Sequence, residues 1–170
     1  MEVFSILFLL NVCTTLIAVG AVVSLGKMPK LFDRFEKWVY YMVILIAIEQ
    51  LHSAIVDNFK LIQFAESFWA FYFYKLNQIF IFPIGTLWLL VPIFQANTRF
   101  LIKILYIGIW FSALTGSYHL FQFFGILTLT GWNLGYSMVI WYTALLELTC
   151  FCLVFRKMLG KCDGHDPLPT

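Results

Sequence analysis

Residues 136–155 read YSMVIWYTALLELTCFCLVF, twenty consecutive positions carrying one ionisable side chain, Glu147. A helix of about 20 mostly apolar residues crosses roughly 30 Å of hydrocarbon, so this stretch reads as a membrane span. Trp132 precedes it and Arg156 and Lys157 follow it. Aromatic and basic flanks belong where a span meets the headgroups.

The same reading extends outward along the chain. Three more stretches, 3–25, 38–56 and 104–124, are equally long and apolar. A fifth, 76–94, carries Pro83 and Pro92 and reads as a kinked span, since neighbouring helices can re-satisfy the carbonyls that proline frees. The first stretch could pass for a secretory leader, but Glu2 replaces the usual lysines and the apolar run is long for one. The composition agrees: of 170 residues, 62% are hydrophobic and only 12% charged. Soluble domains are about a quarter charged. A net charge of +2 gives no basic patch for nucleic acid. The spacing therefore predicts a single all-α membrane domain over 1–158, a bundle of five transmembrane helices, followed by a disordered cytoplasmic tail at 159–170.

Between the second and third spans, residues 59–74 place Leu61, Ile62, Ala65, Phe68, Trp69 and Tyr72 at helical spacing. Lys60, Gln63, Glu66 and Ser67 fall off that stripe, so the segment reads as an amphipathic helix lying in the interface. A sixth span, or an extension of the third, is the rival. Charge placement favours five spans. Lys27, Lys30, Arg34, Lys37, Arg99, Lys103, Arg156, Lys157 and Lys161 then share one side, against Lys60 and Lys75 on the other. The positive-inside rule puts the N-terminus outside and the C-terminus in the cytoplasm, in a plasma or bacterial inner membrane. Cys13, Cys150 and Cys152 fall within spans and Cys162 in the tail, which implies no disulfide framework. Cys162 and His165 supply two ligands, too few for a zinc site.

Ionisable side chains inside spans are expensive and mark candidate sites. Glu49 and His52 lie one turn apart on the second span, His119 lies on the fourth and Glu147 on the fifth. His52 and His119 both sit about five residues from the outer end, roughly 7 Å deep. On the fourth span Ser112, Thr115, His119 and Gln122 share a face; on the fifth, Thr143, Glu147 and Cys150 do the same. Polar faces avoid lipid, so these stripes are expected to turn inward and form a polar pocket opening outward.

Three readings of that pocket stand side by side. In the first, the side chains are helix-to-helix glue that fixes register. In the second, they form a proton or ion path, with His52 handing a proton to Glu49 and Glu147 next inward. In the third, His52 and His119 ligate a haem or a transition metal. Glu49-x-x-His52 is half of a di-iron pattern whose second copy is missing. The expected function is thus a transport or pore component, or an accessory subunit of a larger membrane assembly, with lipid and a second copy of the chain as candidate partners. A redox protein is one alternative. A holin-like phage pore former is another, although holins usually have fewer spans and more basic tails. No phosphate loop, nucleophile elbow or His-Glu-x-x-His motif is present.

Overall fold

Backbone in apolar surroundings has no water to bond, so each long apolar run closes its own hydrogen bonds as helix. The computed structural model describes residues 2–160. It contains α1 (Glu2–Lys27), α2 (Arg34–Ser53), α3 (Phe68–Leu76), α4 (Phe82–Phe94), α5 (Phe100–Phe123) and α6 (Leu134–Met158). A π-helical turn at Ala54–Asn58 extends α2, and another at Asn77–Ile81 joins α3 to α4 into one rod. The described residues thus hold five helical stretches long and apolar enough to cross a membrane: Leu7–Lys27, Arg34–Asn58, Phe68–Phe94, Phe100–Phe123 and Gly135–Met158. They are compatible with an integral membrane location.

The third stretch begins earlier than 76, and the expected interfacial helix at 59–74 does not form. Its first part is instead a short strand, β1 (Ile62–Phe64), and its second part is the opening turns of α3. The local periodicity is two, with Ile62 buried, Gln63 exposed and Phe64 half-buried. β1 pairs antiparallel with β2 (Leu127–Leu129) in the connection between α5 and α6, Gln63 opposite Thr128. The Lys60 backbone is left-handed, with φ at 52°, and turns the chain into the strand. This pair marks the strand end of the bundle. The Lys27–Arg34 connection and the α4–α5 connection lie at the opposite, tail end. The residues beyond Gly160, including Cys162 and His165, lie outside the described residues.

Pro83 explains the joint in the third rod. Proline has no N–H and leaves the carbonyl four residues back, that of Ile79, without its helical donor. The chain widens to a π turn there, and the Tyr41 hydroxyl of α2 donates to the Ile79 carbonyl at 2.9 Å. The core mixes aromatic and aliphatic side chains: Tyr40, Tyr74, Tyr118, Phe121 and Trp141 are all buried, as are Leu87 and Leu90.

At the tail end, Asp33 and Glu36 form a capping box that starts α2, with Glu36 Oε2 accepting the Asp33 backbone N–H at 2.8 Å. Glu36 is 1% exposed. Arg156 from α6 comes within 3.6 Å of its other oxygen and lies over the rings of Phe32 and Phe94.

Candidate functional site at the strand end

The polar groups gather beneath the strand pair. His52, one residue before the end of α2, presents Nδ1 to the Tyr74 hydroxyl of α3 at 2.8 Å. The phenol hydroxyl both donates and accepts, so the direction of this bond follows the imidazole tautomer. Tyr74 is 1% exposed and packs on the ring of Phe121, which also meets Tyr118 of α5, 4% exposed. Phe64 of β1 closes over the pair, its ring centroid 5.3 Å from His52 and 4.6 Å from Tyr74. Tyr118 rests on Trp132 and Trp141. The result is a row of three groups able to hydrogen-bond, joined at its first step by the His52–Tyr74 contact. It runs from a half-buried imidazole into the core.

Charge sits beside the row. Lys75 Nζ bonds both oxygens of Glu49, at 3.1 and 3.2 Å. Both side chains are partly exposed, so solvent weakens their attraction. The charges acting on His52 are those of Lys75, Glu49 and Asp57. Asp57 is held by the Ser53 hydroxyl at 2.9 Å.

The expected common interior does not hold all the residues assigned to it. Glu49 and His52 belong to the strand-end cluster. Thr115 is buried on α5, but Ser112, His119 and Gln122 of the same stripe are exposed. Thr143, Glu147 and Cys150 are all exposed on α6. The α5 stripe is thus split and the α6 stripe faces outward, because Leu114, Tyr118 and Phe121 on α5 and Trp141, Leu145 and Leu148 on α6 fill the inward faces. His119 therefore does not join His52, whose ring lies on Phe64 and Tyr74. Among the described residues no three His, Cys, Asp or Glu side chains come together as a metal site needs.

Three members of the cluster escaped the sequence reading: Tyr74, Tyr118 and Lys75. A tyrosine within a span needs a partner for its hydroxyl, which was the available signal for the first two. Lys75 falls one residue before the expected start of the third span at 76 and so reads as a loop residue from sequence.

Deeper in the bundle, Gln78 is fully buried, and neither end of its amide has a partner among the described residues. The Trp141 indole N–H is likewise buried without a partner. Each such group costs about 1–3 kcal/mol. Trp141, Trp110 and Thr86 line a cavity of about 30 Å³ together with Ile48, Leu51 and Leu114. That is room for a water or two and far too little for a haem. Neither a protein-family model, a curated protein nor a solved structure matches the chain.

Proposed function

We propose that the chain is an integral membrane transport component that handles protons at its strand end, with that end outside and the C-terminus in the cytoplasm. The observation that carries the reading is the 2.8 Å contact between Tyr74 and His52 Nδ1, with the buried Tyr118 beyond it against the same Phe121 ring. Imidazole changes charge near neutral pH, and its two nitrogens can take up a proton on one side and release it on the other. When Nδ1 is bare, Tyr74 donates to it. When Nδ1 carries a proton, Tyr74 accepts from it and is free to donate to Tyr118. The distribution of Lys and Arg supports the orientation, since all but Lys60 and Lys75 of those described lie toward the tail end.

The test is dissipation of an imposed pH gradient in proteoliposomes, followed with an entrapped pH-sensitive dye. The wild-type chain should collapse the gradient faster than protein-free vesicles. Tyr74→Phe and His52→Gln should each slow it by about tenfold, the equivalent of about 1.4 kcal/mol. His119→Gln, on the exposed face, should leave it unchanged. Equal rates for wild type, Tyr74→Phe and His52→Gln would sink the proposal.

A further inference from the structure

Glu147 is the thirteenth of the twenty-four residues in the stretch Gly135–Met158, and it is exposed on the side of α6 that faces away from the bundle. At 1.5 Å per residue it lies about 17 Å from either end of the helix. A glutamate side chain is far too short to reach an interface from there. His119 and Gln122 lie within a turn or so of the end of α5 and can reach it. Lipid is a poor neighbour for a carboxyl at mid-depth, which is why such groups in spans almost always face protein or water.

The surroundings of Glu147 point to what covers it. Thr143 and Cys150, four residues before and three after, are exposed on the same face and are small. The buried side of α6 is a different set, Trp141, Leu145, Leu148 and Cys152. Small residues on either side of a polar one let a second helix approach closely. A two-fold axis normal to the membrane keeps every residue at its own depth, so an axis that passes beside Glu147 brings it to its own image. A protonated carboxyl is both donor and acceptor. Two of them satisfy each other reciprocally, and no cation is needed.

We propose that this face of α6 is a two-fold interface with a second copy of the chain, centred on Glu147, its carboxyl paired with Glu147 of the partner subunit. The inference rests on the membrane-spanning part of the proposed function and is independent of the proton relay.

Cys150 supplies the test. A full-length chain with Cys150 as its only cysteine (Cys13→Ser, Cys152→Ala, Cys162→Ser) is reconstituted in bilayers and treated with a short bismaleimide. A second chain keeps only Cys13, which is exposed on α1. The Cys150 chain should give a covalent dimer and the Cys13 chain should not. Adding Glu147→Ala to the Cys150 chain should cut the dimer yield at least fivefold. Because Glu147 is exposed, that change leaves the core packing intact. No dimer from Cys150, equal yields from the two cysteines, cross-linking to a different protein, or no effect of Glu147→Ala would each overturn the interface. Alkaline carbonate extraction is read alongside: release into the soluble fraction would remove the membrane reading itself. Loss of the interface with proton flux intact would leave the proposed function standing.

Discussion

The Tyr41 hydroxyl and the Ile79 carbonyl are 2.9 Å apart, at the one turn of the third rod where Pro83 withholds the helical donor. A side chain on α2 thus completes the backbone of another helix. Tyr41→Phe leaves that carbonyl without a donor and should lower stability by about 1 kcal/mol, read as a drop in Tm in detergent. Pro83→Ala restores a backbone N–H, so in that background the same change should cost less than half as much. Equal costs in both backgrounds would mean that the bond contributes nothing.

Glu36 and Arg156 form the most deeply buried charged pair described, with Glu36 1% and the Arg156 side chain 14% exposed. Removing one partner strands the other, so Arg156→Met should destabilise by about 3 kcal/mol. Glu36→Gln with Arg156→Met should cost clearly less than the sum of the two single changes. Additivity in thermal denaturation would show that the two side chains act separately.

Gln78 makes the opposite prediction. Both ends of its amide are buried without a partner, so replacing it with an apolar side chain of similar length removes a penalty. Gln78→Leu should raise stability by about 1 kcal/mol. A lower Tm would mean that the amide has a partner in solution, and a loss of flux alongside would place Gln78 on the proton path.

Two glycines should respond in opposite directions. Gly125 follows α5 with φ at +67°, and its N–H bonds the Gln122 carbonyl while that of Ile126 bonds Phe121. This is the left-handed helix stop that glycine favours, and Gly125→Ala should cost about 1 kcal/mol. Gly108 lies inside α5, and a methyl group there meets nothing within 4 Å. Gly108→Ala should stabilise by up to about 1 kcal/mol. Similar Tm shifts for both would overturn the assignment of the turn.

The five long helices were legible because an apolar run of twenty residues has few alternatives to helix in hydrocarbon. The start of the third was not. Lys75 looked like a loop residue, and only the fold reveals that Glu49 reaches it from another helix. The 59–74 segment misled for a related reason: Leu61, Ile62, Ala65, Phe68, Trp69 and Tyr72 fall on a helical stripe, whereas the alternation over Ile62–Phe64 is too short to stand out against it. Within the site, spacing could place Glu49 and His52 on one face. It could not say which face of α5 or α6 turns inward, since a polar stripe is compatible with a pocket or with a partner. Packing decided that, through Trp110 and Trp141, whose rings meet at 6.1 Å between the two helices.

The strand pair joins residue 63 to residue 128, and Phe64 lies on the imidazole it helps to enclose. During synthesis, α2 and α3 are complete long before β2 leaves the ribosome. His52 and Tyr74 can therefore meet early, yet Phe64 has no strand to hold it until the fourth long helix is in place. Until then the His52–Tyr74 pair stands uncovered at the strand end. Closure of the site is a late step in making the protein, and a chain truncated after α5 should carry His52 and Tyr74 without their cover.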